Sequence, residues 1–527
     1  MKSSTKVLLY IAPLLFAASA LSQVDVTATG GTANASYATL KEAFDAINAG
    51  THTDVITIGI SGNTTETATA ALNASGSGSA SYTSISITPT GGATRTITGG
   101  IAEGSPLIDF NGADNVTIDG LSSSGNALTI ANTTVAATSG TSTIRFINDA
   151  TNNVITNCSI QGSATMGTTT NGGVMFFSTA ASGGNGNDNN TISDCSIGPA
   201  GVNLPSKGIY GSGSTTTTAA NNSSITISGN RIFDFFSPST SNAGIYVTSG
   251  NTDWSISNNK FYQTGTRTWT TGSSHRVIEI SNTSGNNFQV TNNTIGFSSA
   301  AGTGTYTLTG STNTFRAISL NVGTTTASSV QGNTITAISH TTTTSGTTSS
   351  SPCMMIFVSS SGLVNIGNSA GNTIGSQDGS TNISFTSSST STSDVYGIHN
   401  FSLSSTNISS NSIGSITVSN SSTGSVVFFG IRVNTSSTAG ITSTILNNVV
   451  GNSVGVITNN AAGSFSSRLI GIQNDRAQPT ITGNTVRNMI ISAPNTNSGT
   501  SAAVLGIYNA ATANGGVTIS HNVIHSL

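Results

Sequence analysis

The stretch VTNNTI at 290–295 decides the fold, because the chain repeats it. Its pattern is an apolar residue, two short polar residues, Asn, one more residue and a second apolar residue. It returns as VQGNTI (330–335), ISSNSI (408–413), ILNNVV (445–450), ITGNTV (481–486) and ISHNVI (519–524). Earlier copies are ITNCSI (155–160), ISDCSI (192–197), ISGNRI (227–232) and ISNNKF (256–261), with a weaker one at SAGNTI (369–374). The key positions are Cys158, Cys195, Asn230, Asn259, Asn293, Asn333, Asn372, Asn411, Asn448, Asn484 and Asn522, spaced by about 36 residues on average. A second motif, a small residue followed by Ile, alternates with the first. It reads GIYG (208–211), GIYV (244–247), VIEI (277–280), AISL (317–320), MIFV (355–358), GIHN (397–400), GIRV (430–433), GIQN (471–474) and GIYN (506–509). Two motifs in lockstep over so many turns specify a solenoid.

The apolar residues are β-branched and alternate with polar ones, a period of two rather than 3.6. A coil of this length holds three short strands and three turns of a parallel β-helix. The expected fold is therefore all-β, a right-handed parallel β-helix, since parallel crossovers are right-handed. Ile and Val of successive coils stack inside. Asn falls at a turn, where it tolerates unusual backbone angles and its amide can bond the Asn above and below. At about 4.8 Å per coil, eleven coils rise roughly 50 Å. Insertions concentrate between the Asn turn and the next Ile strand. Two of them, Thr341 to Ser351 and Thr386 to Ser393, are Ser/Thr runs that read as loops.

Composition narrows the function. Charged residues are 6% of the 527, against roughly 25% in ordinary globular proteins. With 15 basic and 18 acidic residues there is no basic face for nucleic acid, and no polybasic stripe for an anionic membrane. Gly (60 residues) and abundant Ser and Thr resemble a disordered linker, but hydrophobic residues at 35% and their periodicity argue against that. Residues 1–22 read as a secretory signal peptide: Lys2 and Lys6, an apolar run from Val7 to Ala18, then small residues. Cleavage after Ala20 or after Ser22 both fit. No later segment has 18 consecutive apolar residues, so no transmembrane segment is expected in the mature chain. The cysteines Cys158, Cys195 and Cys353 are too few for a disulfide-built fold. Cys158 and Cys195 read as stacked small core residues, because in-register stacking seldom gives disulfide torsions.

Residues 39–49, TLKEAFDAINA, open with a capping box (Thr39, Glu42) and carry Leu40, Ala43, Phe44 and Ile47 on one face. They predict a short amphipathic helix that plugs the first coil as an N-terminal helical cap. Strand-like segments follow at 54–60, 84–89 and 107–121. The pair YATLKEAFDAINAG and LIDFNGADNVTIDGL resembles the N-terminal part of pectate-lyase-like right-handed β-helices. It is most similar to large secreted or surface repeat proteins of gram-negative bacteria, many exported by the type IX route. The domain reading is then signal peptide at 1–22, cap and first coils at 23–121, and β-helix repeats at 122–527. The last residues, HNVIHSL, stop in mid-coil without an edge-covering device, so the repeats are expected to be truncated there.

The resemblance implies enzymes that act on acidic polysaccharides with paired carboxylates, or with Ca²⁺ ligands and a basic residue. Of the polygalacturonase pattern NTD, DD, GHG and RIK, the chain has only Asn251-Thr252-Asp253. The acid-rich stretch is Asp109, Asp114 and Asp119; beyond Glu279 only Asp378, Asp394 and Asp475 follow, on different coils. GGNGNDNNT (183–191) approaches a Ca²⁺-binding nonapeptide, but Asn190 stands where a large apolar residue is needed, and the segment reads as a polar loop. The six histidines lack metal spacing and read as solvent-facing. No catalytic set, metal site or cofactor is expected.

One column stands out. In the Ile motif the residue after Ile should point outward: Tyr210, Tyr246, Glu279, Ser319, Phe357, His399, Arg432, Gln473 and Tyr508. The neighbouring Gly208, Gly244, Gly397, Gly430, Gly471 and Gly506 would leave a flat, open surface for sugar stacking. The alternative is ordinary strand chemistry covered by the inserted loops. The ligand-binding candidates are Tyr210 and Tyr246, with Lys207 at the patch edge, and the expected partner is a polysaccharide or cell-surface glycan. The reading is a secreted or surface-displayed, adhesin-like structural module; the alternative is a polysaccharide lyase or glycoside hydrolase with an unrecognised site.

Overall fold

The computed structural model describes residues 22–125, 127–359, 361–434, 440–452, 454–461, 463, 465–476, 478–510 and 516–527. The signal-peptide assignment thus lies, apart from Ser22, outside the described residues.

Strands of two to ten residues stack coil on coil into three long sheets of 16, 14 and 13 strands. The result is an all-β parallel solenoid of about 12 turns with about 36 residues per turn. In the first sheet Ile155, Ile192, Ile227, Ile256, Val290, Val330, Ile366, Ile408, Ile445 and Ile481 stand in register. In the second, Ile160, Ile197, Ile232, Phe261, Ile295, Ile335, Ile374, Ile413, Val450 and Val486 do the same. Each column buries one apolar side chain per coil, and these residues belong to one continuous core running the length of the solenoid. Full burial of each is worth about 1.5–3 kcal/mol. In the last strands, Ile519 and Ile524 occupy the same columns and are 46% exposed.

The Asn motif forms the corner between the first and second sheets. Asn230, Asn259, Asn293, Asn333, Asn372, Asn411, Asn448, Asn484 and Asn522 build a ladder. Each Asn Oδ1 accepts the backbone N–H of the ladder residue one coil earlier, and within the ladder the earlier Nδ2–H as well. Each Nδ2 also donates back to the strand carbonyl of the previous coil, as Asn333 does to Val290. The residue that bends the chain is the one before it: Asn258, Asn292 and Asn447 take φ of 58°, 56° and 53°. The Asn was expected to adopt the unusual backbone itself; the structure instead divides the work between two adjacent residues. Shorter ladders, Asn153–Asn190 and Asn187–Asn222–Asn251, line the corner before the first sheet.

Three strands per coil is too few for the C-terminal half. A fourth, seven-stranded sheet runs from Arg267–Trp269 to Met489–Ile491. Two of its strands, Ile338–Thr342 and Ile383–Ser387, take up the first residues of the Ser/Thr runs expected to be loops. The cause was legible: ISHTT and ISFTS alternate, and Ile338, His340, Thr342, Ile383, Phe385 and Ser387 are buried. Only the middle of each run, around 343–350 and 388–392, loops out.

At the N-terminus, Val24–Gly31 pairs antiparallel with both Asn34–Tyr37 and His52–Ile60, so the first sheet begins as an antiparallel edge. The helix Leu40–Asn48 forms where predicted and buries Leu40, Ala43, Phe44 and Ile47. Thr39 Oγ1 accepts the Glu42 N–H at 3.2 Å, while the Glu42 carboxylate reaches Ala38 N–H at 2.9 Å rather than that of Thr39. Asn48 bonds Ala71 O and Asn73 N–H, tying the helix to the first strand of the third sheet. Buried Glu66 accepts the N–H groups of Leu40 and Lys41, both at 3.0 Å, and satisfies two donors at the helix start.

Among the described residues no helix is long and apolar enough to cross a membrane. All three cysteines are free and buried, Cys158 and Cys195 in the core as stacked residues.

Candidate functional site on the outer face of the third sheet

The Ile motif forms the third sheet. Its inward column runs Ile144, Met175, Ile209, Ile245, Ile278, Ile318, Ile356, Ile398, Ile431, Ile472 and Ile507. The next residue of each strand points outward, as expected. The outer column reads Asp109, Arg145, Phe176, Tyr210, Tyr246, Glu279, Ser319, Phe357, His399, Arg432, Gln473 and Tyr508.

This column is not the open surface that the sequence suggested. Tyr210 is 3% exposed, and Phe357, His399 and Glu279 are buried too. Lys207, expected at the rim, is fully buried: its Nζ lies 4.0 Å from the Tyr210 ring centre and donates to Gly167 O at 3.0 Å and to Thr170 O. Burial pulls its pKa down to about 7. The Tyr210 hydroxyl donates to Asn171 at 3.1 Å, so the segment before Gly173 lies over both residues. Tyr246 alone of the three is half-buried; its ring lies 5.7 Å from that of Tyr210. Burial first, then the Glu279 charge, pushes its hydroxyl up to about 12.

The glycines do not open the face either. A Cβ on Gly208 would lie 2.6 Å from Gly244 O, and one on Gly430 would lie 2.5 Å from Gly471 O and 2.6 Å from Val450 Cγ1. They are points of close approach toward the core, where the chain of the third sheet passes the second sheet's aliphatic column.

Further along the same face the sequence reading missed a cluster. Arg432 stands 5.0 Å over the Phe429 ring, donates to the Tyr396 hydroxyl at 3.0 Å and to Asp475 at 3.2 Å, and has Asp394 at 3.9 Å. Tyr396 donates to Asp394 at 2.7 Å and stacks between His399 (4.1 Å) and Phe429 (4.9 Å). A short segment closes over them: Thr348 N–H reaches Asp394 and Tyr396, and Arg316 donates to Ser349 O at 2.8 Å. Burial raises the Asp394 carboxyl and drives the His399 imidazole well below its usual range. Neither His399 nitrogen has a hydrogen bond. Asp394 and Asp475 sit on different coils, and only stacking in register brings them to one guanidinium.

The other sequence candidates are structural. Asp109 pairs with Arg145 at 2.7 and 2.9 Å; Asp114 accepts from Thr151; Asp119 accepts from Leu121 N–H and Asn157. They stand on the third sheet, in the corner and on the first sheet, not in one site. Asn251 belongs to an Asn ladder and Asp253 accepts from Asn287. In 183–191, Asn187 and Asn190 are ladder residues and Asp188 accepts Ser223 N–H, so the segment is a packed corner. The histidines depart from expectation: His52, His275, His340 and His399 are buried, and only His521 and His525 face solvent. His275 sits among Phe235, Trp269, Tyr306 and Phe315. Among the described residues no group of three or more His, Cys, Asp or Glu is placed to hold a metal.

No family model matches this sequence, and no curated protein matches it. Among solved structures, the chain is similar to PfbA, a surface adhesin of Streptococcus pneumoniae, with 12% identity over 76% of this chain and 89% of that one, at a TM-score of 0.32. It is also similar to the catalytic domain of a GH87 alpha-1,3-glucanase in complex with nigerose, with 13% identity over 89% of this chain and 66% of that one, at TM-scores of 0.34 and 0.32 for two forms.

Proposed function

We propose that this chain is a secreted or surface-displayed, adhesin-like structural module, a rigid rod whose long faces meet glycans without catalysis. In this reading residues 1–22 are the export signal, 23–121 the cap and first coils, and 122–527 the repeats of a right-handed pectate-lyase-like β-helix. The helix Leu40–Asn48 serves as the N-terminal cap, and the protein belongs to the surface-repeat type exported by gram-negative bacteria.

The observation that carries the reading is how the carboxylates are used. Of the 18 acidic residues, all but Asp54 and Asp194 have a hydrogen bond or ion pair to backbone or side chain. General acid–base work needs a pair free to exchange protons with a substrate. On the third sheet, Tyr246 is the candidate ligand contact that solvent reaches, with Tyr210 beside it one coil earlier and Lys207 against the Tyr210 ring.

One observation favours a second reading. Asp394 and Asp475 share Arg432, and burial holds the Asp394 carboxyl above its usual range, as a general acid requires. A glycoside hydrolase or lyase would use this pair after the 346–351 segment lifts. A panel of polysaccharides separates the two. The module reading expects retention of the protein on some of them with no new reducing ends or unsaturated products. Product release abolished by Asp475→Asn would replace it with the enzyme.

A further inference from the structure

The second sheet carries an unassigned cleft on its outer face, about 140 Å³ in volume, lined by Lys260, Tyr262, Thr294, Phe297 and the turn 299–302. Its floor is aromatic. Phe233 and Tyr262 occupy the same position in successive coils, and their rings stack at 5.2 Å with planes 4° apart. One coil on, the position after Ile295 is Gly296, so no side chain stacks on the other face of Tyr262. Tyr262 lines the cleft there, with 9% of its surface exposed. The far wall is Phe297, a non-glycine residue with φ of 66°. The turn beside it is preformed: Ser298 N–H donates to Thr303 O at 2.9 Å, and the Ser299 and Thr303 hydroxyls bond at 2.8 Å.

One cation, Lys260, lines the cleft, and a second, Arg231, stands one coil earlier, outside the lining. Arg231 and Lys260 are register partners one coil apart, and both are exposed. Elsewhere Arg145, Arg267, Arg276 and Arg432 pair with carboxylates, while Arg316 and Arg476 bond backbone carbonyls. Arg231 has no hydrogen bond or ion pair from its guanidinium among the described residues, and Lys260 gives one proton to Ala300 O at 3.0 Å, leaving two donors. In a chain with 6% charged residues, two adjacent cations outside any ion pair, next to an aromatic stack whose last ring lines a cleft, are a specific feature.

We propose that this cleft binds one terminal acidic sugar of a glycan, its ring packed on Tyr262 and its carboxylate held by Arg231 and Lys260. The apolar face of a pyranose suits an aromatic ring, and a carboxylate suits a guanidinium–ammonium pair. The volume is below the roughly 300 Å³ of drug-sized pockets, so it takes one ring rather than a run of linked sugars. The inference rests on the glycan-binding reading above and locates it away from the third sheet.

The test is ligand-observed NMR and titration calorimetry on the exported chain. The probes are glucuronic acid and N-acetylneuraminic acid as methyl glycosides, the methyl ester of each, a 6-sulfated galactoside and neutral glucose. We expect at least one carboxylate probe to bind, its ester to bind tenfold or more weakly, and affinity to fall as salt rises. Arg231→Gln with Lys260→Gln should weaken binding tenfold or more, and Tyr262→Leu by a similar factor, with circular dichroism unchanged. Preference for the sulfated sugar over both carboxylates would overturn the assignment of ligand. Carboxylate binding that survives both variants would overturn the site while leaving glycan binding intact. No binding of any probe would overturn the site, and the polysaccharide panel then decides whether the wider reading falls with it.

Discussion

Asn333 accepts two hydrogen bonds from Asn293 through one oxygen: the backbone N–H at 2.9 Å and the side-chain Nδ2 at 3.0 Å. Its own Nδ2 donates to Asn372 at 2.9 Å and back to Val290 O at 2.8 Å. One amide therefore joins three coils. Asn333→Ala leaves two buried donors on Asn293 without an acceptor, which costs about 2–5 kcal/mol. Asn333→Asp should cost at least as much, since it keeps the acceptor but buries a charge and removes both donors. Hydrogen exchange at the amide of Asn293 reads this directly, and unchanged protection there in both variants would refute the ladder's energetic role.

Gly430 meets Gly471 O and Val450 Cγ1 where a Cβ would stand. Gly430→Ala should destabilise the solenoid by about 1–3 kcal/mol through overpacking. Gly440, where nothing lies within 4 Å of a Cβ, controls for loss of glycine itself, although its φ of 78° makes Gly440→Ala strained as well. Gly430→Ala in Val450→Ala background should recover part of the loss; no recovery would show that the carbonyl contact dominates.

Arg432 holds two carboxylates on a largely covered face, whereas Lys41 and Asp45 form an exposed i,i+4 pair at 2.6 Å. Arg432→Met should cost about 3–5 kcal/mol, because Asp394 stays buried without its cation. Lys41→Met should cost no more than about 0.5 kcal/mol. Chemical unfolding midpoints of the two variants, measured side by side, test the contrast.

Burial lowers His275 and His340 to about 3, from 6.5 when unfolded. Between those values the unfolded chain binds protons that the folded one refuses, so stability falls as pH drops from 6.5 toward 3. The slope is about 1.4 kcal/mol per pH unit for each histidine. His340→Gln should flatten the acid branch by about one proton. An unchanged slope would mean that His340 titrates freely.

Lys207 behaves in the opposite range. Its pKa is pulled from 10.5 to about 7 by burial. Above 7 the folded chain releases a proton that the unfolded chain keeps until 10.5, so stability rises with pH across that window. Lys207→Met should remove this rise, read as the difference between variant and parent from pH 7 to 9.5.

The repeat period, the inward Ile columns, the Asn corners and the helix at Leu40–Asn48 were all legible in the sequence. Each depends on residues within one short motif, and stacking merely multiplies a local preference. ITGNTV states its own alternation and its own turn. The fourth sheet was legible too, in ISHTT and ISFTS, but the abundance of Ser and Thr hid the alternation.

Which outward residues would be covered was a different kind of question. Tyr210 and Tyr246 follow Ile in the same motif, GIY, yet one is buried and the other half-open, because Asn171 and its neighbours lie over the first. Asp394 and Asp475 lie 81 positions apart and meet at Arg432 only because coils stack in register. The sequence by itself determined the solenoid, since period and alternation are local and additive along the chain. The tertiary structure alone decided what each face exposes, since that depends on where loops of other coils come to rest and which charges they bring together.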